Sequence, residues 1–118
     1  MKTPLIKWTG SKRPIANKII SYFPKDIECY YEPFLGGGSV FFELLRSDIS
    51  IQKFKLSDKN DTLIKIFQIV KDDPQELIAS YKNKWERLQE NPNYFYSQRD
   101  YYNKTQDPLA FYFLTRTC

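Results

Sequence analysis

Apolar residues along the chain recur at spacings that predict a helix, a strand, a helix and a second strand, followed by a run of helices. The first helix has one apolar face, formed by Ile15, Ala16, Ile19, Ile20 and Phe23. Phe23-Pro24 ends it, because the residue before a proline disfavours helical geometry. After a polar link over 25–28, residues 29–31 predict a short buried strand. Glu32-Pro33 stops this strand, because proline cannot donate to a sheet.

The rest of the chain continues the pattern with one more strand and several helices. Residues 53–56 predict the second strand, which follows a helix containing Val40 and Leu44 and a loop over 46–50. A helix beginning at Asp61 has its apolar residues at helical spacing. Three aspartate or asparagine residues followed by proline indicate further helix starts, at Asp73-Pro74, Asn91-Pro92 and Asp107-Pro108. Trp85 is predicted to pack in the core with the apolar face of its helix.

A glycine turn joins the first strand to the second helix. Three of the four glycines in the chain are Gly36, Gly37 and Gly38. Glycine permits positive φ and close approach to a ligand, and the amide donors of the following helix point back at the turn. This combination indicates a nucleoside-bearing cofactor. A tight turn that binds nothing is the alternative.

The spacing of the turn residues narrows the type of cofactor. Phe41 stands where a dinucleotide fingerprint requires its third glycine, and the lysine of a phosphate-binding loop is absent. Asp58 follows Gly38 by about 20 positions, where an acidic residue at the tip of a second strand binds ribose hydroxyls in nucleotide-binding sheets. Alternatively, Asp58 or Asn60 caps the next helix. Binding by Asp58 and capping by Asn60 suits both residues.

The N-terminal segment is basic and contains a tryptophan. Lys7 and Lys12 lie close to Trp8 and Gly10, and a tryptophan in a loop needs a surface to cover. Ser11 is a candidate cap for the first helix. A solvated basic terminus is the simpler interpretation for the lysines of this segment.

The composition excludes some classes of function but does not by itself indicate one. The 118 residues suffice for one domain with a core, and the net charge of +4 mildly favours a polyanionic partner. The absence of histidine excludes a histidine base or histidine metal ligand. Two cysteines form neither a disulfide scaffold nor a metal-site spacing. With no membrane-length apolar run and no signal peptide, we expect a cytoplasmic protein.

Four segments together resemble one enzyme family. They are PLIKWTGSKR at 4–13, YYEPFLGGGSVFF at 30–42, LSDKNDTLI at 56–64 and RDYYNKTQDPLAFYFLTR at 99–116. Their order and spacing resemble the N-terminal portion of the Dam-like, D12-class adenine-specific DNA N6-methyltransferases. The resemblance implies an α/β, Rossmann-like S-adenosylmethionine-dependent methyltransferase fold, truncated here, with the start of a helical DNA-recognition insert.

The resemblance also implies roles for individual residues. Trp8, Lys12, Phe34, Gly36, Gly38 and Asp58 resemble the positions that bind S-adenosylmethionine. Lys7, Arg99 and Lys104 resemble positions that reach DNA. The implied partner is double-stranded DNA, bound by a monomeric parent enzyme without metal or membrane. Residues 1–72 are predicted to be part of the cofactor domain, and 73–118 the start of the insert.

The family's catalytic Asp-Pro-Pro-Tyr motif does not occur in these 118 residues. We therefore expect an N-terminal fragment of a longer protein that is inactive alone and binds the cofactor weakly or not at all. Two alternatives remain at this stage. One is a nicotinamide-dependent oxidoreductase domain that uses the same turn and Asp58. The other is a non-catalytic DNA-binding remnant.

Overall fold

The structure, a computed structural model, describes residues 4–118. The chain divides into two compact units, Met1–Lys59 and Asn60–Cys118. The first contains helices and strands, and the second contains helices alone among the described residues. The predicted mixture of helices and strands is confirmed.

The first unit is built around two parallel strands. Its elements are a 3-10 turn Arg13–Ile15, α1 Ala16–Ile20, β1 Asp26–Glu32, α2 Ser39–Arg46 and β2 Ser50–Leu56. The strands pair in parallel, with Asp26 opposite Ser50 and Glu32 opposite Leu56. Because the strands are parallel, their carboxyl ends lie at the same edge of the sheet, and the loops that follow them meet there.

Both strands are longer than the sequence predicts, and β1 is also less buried. β1 begins at Asp26 and not at Cys29, and no residue of β1 is fully buried. The segment 25–28 was predicted to be a polar link because Asp26 and Glu28 are charged. Pairing with β2 draws these residues into the strand, while their side chains remain exposed. Prediction of the strand's end at Glu32 is confirmed.

Helices α1 and α2 supply the buried residues of the core cluster of this unit. Its buried residues are Ala16, Ile20, Val40 and Leu44, with Ile19, Phe23, Tyr30, Ile49 and Ile51 packed against them. Helix α1 is shorter than predicted, since it ends at Ile20 and leaves Ile15 exposed. Leu45 of α2 is exposed as well.

The second unit consists of four helices. They are α3 Asp61–Asp72, α4 Pro74–Glu90, α5 Tyr94–Thr105 and α6 Pro108–Thr117. Its buried side chains are Thr62, Leu63, Ile66, Leu77, Ala110 and Phe113. Rings of Tyr81 and Tyr94 contact Phe113, and the Tyr102 hydroxyl donates to Thr62 Oγ1 at 3.2 Å. Aromatic residues therefore contribute much of this unit's packing.

The predicted helix starts are confirmed at Asp73 and Asp107, whose side chains accept backbone N–H bonds at the N-caps. Helix α5 begins later than its Asn91-Pro92 signal, at Tyr94. The prediction for Trp85 is wrong. Its side chain is 45% exposed and stacks on Tyr81, with ring centroids 6.5 Å apart. Within residues 4–118, the helices include none with the length and apolarity needed to cross a bilayer.

Candidate functional site

A cavity of about 290 Å³ opens at the carboxyl ends of β1 and β2 in the first unit. The N-terminal segment contributes Trp8 and Lys12 to its wall, the loop after β1 contributes Phe34 and Gly36, and the loop after β2 contributes Asp58. These are five of the six residues predicted to bind a cofactor. Tertiary structure therefore brings together residues that are up to 50 positions apart in the chain.

The sixth residue, Gly38, does not line the cavity. It is buried at the N-cap of α2 with a φ of +76°. Its N–H donates to the Leu35 carbonyl at 2.9 Å, and its carbonyl accepts from the Phe42 N–H at 2.8 Å. Its position serves the geometry of the turn, because a left-handed backbone at a helix start favours glycine.

The other two glycines of the turn pack closely against the protein's own N-terminal segment. Gly36 has a φ of +55°, and a Cβ there would lie 3.3 Å from Trp8 Cδ1. A Cβ on Gly37 would lie 3.2 Å from the Ile6 carbonyl oxygen and 3.3 Å from Trp8 Cβ. Sequence reasoning attributed the glycines to close approach of a ligand. The structure shows that the N-terminal segment itself makes that close approach.

The N-terminal segment is also fastened to the start of α2. Ser11 Oγ and Ser39 Oγ are 2.8 Å apart and hydrogen-bonded, and the Arg13 N–H donates to Ser11 Oγ at 3.2 Å. The N-cap position of the 3-10 turn belongs to Lys12 and has no side-chain cap bond. Ser11 therefore fixes the loop that forms one wall of the cavity. As predicted of a cap, its hydroxyl accepts the N–H of the first residue of the turn, although Lys12 and not Ser11 occupies the N-cap position.

Asp58 holds the glycine turn in place. Its Oδ2 accepts the Gly36 N–H at 2.9 Å, and the Leu35 N–H donates to the Ser57 carbonyl at 3.0 Å. Asn60 Oδ1 accepts the Leu63 N–H at 3.0 Å and caps α3. The predicted capping by Asn60 is confirmed. The hydrogen bond from Gly36 was not predicted, because nothing in the local sequence pairs positions 36 and 58.

Phe34 presents an aromatic surface at the cavity. Its side chain is 86% exposed, more than any other large apolar side chain among the described residues. A single exposed phenylalanine needs no functional explanation. At the mouth of a cavity, however, an exposed ring provides a flat face on which a planar ligand can stack.

Glu32 lines the same cavity and was not selected from the sequence, where it served only to end the strand. Its Oε2 accepts a hydrogen bond from the Tyr30 hydroxyl at 2.9 Å. Burial raises the pKa of the Glu32 carboxyl, and the bond from Tyr30 acts in the opposite direction. Burial likewise raises the pKa of Tyr30, and the hydrogen bond to Glu32 adds to that rise. The sequence signal that could have identified Glu32 as a cavity residue is its position, because it is an acidic residue at the end of a strand.

The residues predicted to reach DNA lie in both units. Lys7 is exposed in the first unit, while Arg99 and Lys104 are exposed on α5 in the second. The Arg99 guanidinium lies 5.2 Å from the Tyr96 ring centroid, and its Nη2 is 3.6 Å from Asp100 Oδ1. Across residues 4–118, no cluster of three or more acidic or thiol side chains is arranged to hold a metal ion.

A parallel pair of strands with a ligand-sized crevice at its carboxyl edge is typical of the α/β proteins that bind nucleotides or related cofactors. Residues 8–118 match the model of the D12 class N6 adenine-specific DNA methyltransferases. The chain belongs to this family.

Named relatives agree with the family match. The chain is 33% identical to the Type II methyltransferase M.MjaIII of Methanocaldococcus jannaschii, over 98% of this chain and 45% of the relative. It is 36% identical to the DNA adenine methylase of Escherichia coli K12, over 88% of this chain and 35% of the relative. Identity to the DNA adenine methylase of Haemophilus influenzae is 31%, over 96% and 40%. The chain thus spans less than half the length of each.

Proposed function

We propose that this chain forms the cofactor-binding part of an enzyme that transfers a methyl group from S-adenosylmethionine to N6 of adenine in DNA. The single observation that carries this proposal is the cavity, where Trp8, Lys12, Phe34, Gly36 and Asp58 converge at the carboxyl edge of the strands. Family membership supports the reaction class, and it disfavours the nicotinamide-dependent alternative.

The chemistry of the cavity fits the nucleoside part of such a cofactor. Trp8 and Phe34 offer aromatic surface for a purine, and the Asp58 carboxylate can accept hydrogen bonds from ribose hydroxyls. The volume of about 290 Å³ is near the lower end of small-molecule pockets, which span roughly 300–1,000 Å³. We assign Lys12 to an anionic group of the ligand, and Gly36 and Gly38 to the backbone of the turn.

We further propose that the two strands belong to a Rossmann-like sheet. Their parallel pairing and the crevice beyond their carboxyl ends support this, because ligands of open α/β sheets bind at such crevices. The cofactor, when bound, supplies an electrophilic methyl group on its sulfonium. The residues of this chain bind and orient the cofactor. The acceptor amine of adenine requires the Asp-Pro-Pro-Tyr motif, which these 118 residues lack.

The DNA-facing role is assigned to the helical part of the chain, residues 73–118. Exposed Arg99 and Lys104 on α5, together with Lys7, would contact phosphates. Contacts of this kind position a protein on DNA and carry little sequence information.

Replacing Asp58 by asparagine tests the cofactor site. Asparagine keeps an oxygen that can accept the Gly36 N–H, so the turn is retained while the charge and one acceptor are lost. We expect wild-type chain to bind S-adenosylhomocysteine weakly and Asp58→Asn to bind about tenfold more weakly still, since a hydrogen bond to a charged group contributes ~1.5–3 kcal/mol. Ligand-observed NMR titrations measure both affinities.

The matched control is Asp48→Asn, an exposed aspartate outside the cavity, which should leave the affinity unchanged. NADH serves as the competing ligand. Equal binding by wild type and Asp58→Asn would reduce Asp58 to a support for the turn, and preference for NADH would contradict the methyltransferase proposal.

A further inference from the structure

Charged side chains on the wall of the cavity are predominantly acidic. The residues that line it include two acidic ones, Glu32 and Asp58, and one basic one, Lys12. Glu32 is the last residue of β1, so a strand and not a loop sets its backbone position. An acidic side chain that is partly buried in a cavity interacts strongly with a charged ligand, because little water screens it.

Tyr30 holds the Glu32 carboxylate in place. The two residues are two positions apart in β1 and therefore lie on the same face of the strand. The Tyr30 hydroxyl reaches Glu32 Oε2 at 2.9 Å. Contacts with Phe23 and Phe54 fix the Tyr30 ring, with centroids 6.0 and 6.1 Å away. A fixed donor thereby limits the positions open to the carboxylate.

We propose that Glu32 is a specificity-determining residue that favours a cationic sulfonium ligand over its neutral thioether counterpart, and that Tyr30 positions it. This inference rests on the proposed cofactor function. S-adenosylmethionine carries one more positive charge than S-adenosylhomocysteine, and the two are otherwise alike except for the methyl group. A carboxylate in the wall therefore attracts the first more strongly than the second.

Among the charged groups around β1, Glu32 and Asp58 are the acidic residues that line the cavity. Lys12 and Asp58 share the cavity with Glu32. Lys53 and Lys55 of β2 pair with Cys29 and Tyr31, which point to the opposite face of the strand from Glu32. The Lys55 ammonium lies 5.3 Å from the centroid of the Tyr31 ring. Asp58 is occupied in part by the Gly36 N–H, whereas Glu32 is oriented by a side chain.

The charge on Glu32 gives the inference a dependence on pH. Because burial raises the pKa of Glu32 above its ordinary value of 4.5, the carboxyl is protonated in the folded chain at pH values where an exposed glutamate is ionised. Preference for the sulfonium ligand should therefore grow as pH rises from 4.5 through the folded pKa. Removing the Tyr30 hydroxyl takes away a bond that favours the ionised form, so it should move this rise to higher pH.

The test compares wild-type chain with Glu32→Gln, Tyr30→Phe and Tyr31→Phe. Tyr31→Phe is the matched control, since Tyr31 is the adjacent tyrosine and is 63% exposed on the other face. Calorimetry or NMR gives the ratio of affinities for the sulfonium and the thioether ligand. We expect that ratio to fall about tenfold in Glu32→Gln and about threefold in Tyr30→Phe, and to remain unchanged in Tyr31→Phe.

A second readout needs no ligand. In chain labelled with ¹³C, the carboxyl resonance that disappears in Glu32→Gln reports the titration of Glu32. Its midpoint should rise in Tyr30→Phe and stay constant in Tyr31→Phe. A purely structural role for Tyr30 would change stability without moving this midpoint.

The outcomes separate the two proposals. If wild type binds neither ligand, the cofactor function fails and the inference falls with it. If wild type binds both but Glu32→Gln leaves the ratio of affinities unchanged, the cofactor function stands and the inference is overturned. If the ratio falls in Glu32→Gln while Tyr30→Phe changes neither the ratio nor the midpoint, the positioning role of Tyr30 is refuted.

Discussion

Three glycines in this structure have a positive φ, and their surroundings differ. The difference separates two reasons for having glycine at a position: a left-handed backbone, and a lack of room for a side chain. Gly10 has a φ of +78° and nothing within 4 Å of an added Cβ. Gly36 has a φ of +55°, and its added Cβ meets Trp8 at 3.3 Å. Gly38, with a φ of +76°, begins α2. Left-handed backbone alone accounts for Gly10, whereas Gly36 also requires room for Trp8.

Replacing Gly10 and Gly36 by alanine tests whether the contact with Trp8 adds to the cost of a left-handed backbone. A non-glycine residue in the left-handed region costs roughly 1–2 kcal/mol. We expect Gly10→Ala to lower the free energy of unfolding by about 1 kcal/mol and Gly36→Ala by about 2 kcal/mol, because only the second adds a close contact. Trp8 fluorescence in urea, measured in a Trp85→Phe background, follows the first unit alone. Equal losses in the two variants would show that the Trp8 contact relaxes without cost.

Helix starts are the elements on which sequence and structure agree best. Asn60, Asp73 and Asp107 were predicted or available as caps, and each accepts a backbone N–H at its N-cap. Capping depends on residues within one turn of each other, so the local sequence contains the whole interaction. The exception is α5, where Asn93 occupies the N-cap without a side-chain bond.

Asn60 and Asn93 therefore form a matched pair of asparagine N-caps. Loss of a bonded N-cap side chain costs about 1 kcal/mol. We expect Asn60→Ala to lower the free energy of unfolding of the helical unit by about 1 kcal/mol, and Asn93→Ala to change it by less than about half of that. Circular dichroism at increasing urea concentration measures both. A similar loss in both variants would contradict the assigned role of the Asn60 side chain.

Strands show the limits of the local pattern. Asp26, Glu28 and Ser50 are polar, so the sequence assigned them to a link and a loop, yet all three belong to the paired strands. Parallel pairing joins residues about 24 positions apart, as in Asp26 and Ser50. Backbone hydrogen bonds between the two strands include these residues whatever their side chains. The spacing of apolar residues along the chain therefore does not predict that they belong to strands.

At the scale of the whole molecule, the net charge of +4 comes from the first unit, because the acidic and basic residues of the second unit balance, and DNA contact remains a prediction. We expect Arg99→Ala and Lys104→Ala each to weaken binding to a DNA duplex and to reduce the dependence of binding on salt by about one counterion per lost phosphate contact. Fluorescence anisotropy at several salt concentrations measures the slope.

Lys82→Ala is the control for this experiment, because Lys82 is an exposed lysine on α4 that has no assigned DNA contact. It should leave the salt dependence of binding nearly unchanged. If Lys82→Ala reduces the slope as much as Arg99→Ala does, binding reflects overall charge, and the assignment of α5 to DNA is refuted.

The sequence by itself determined the order of elements, the helix caps at Asn60, Asp73 and Asp107, and the family, because these depend on residue types at short and fixed spacings. It also named five residues that share one cavity. Tertiary structure decided that the N-terminal segment packs against the glycine turn, that Asp58 supports Gly36, that Glu32 lines the cavity and that Trp85 is exposed. Each of these depends on contacts, or on their absence, between segments far apart in the chain, which no local pattern of residues encodes.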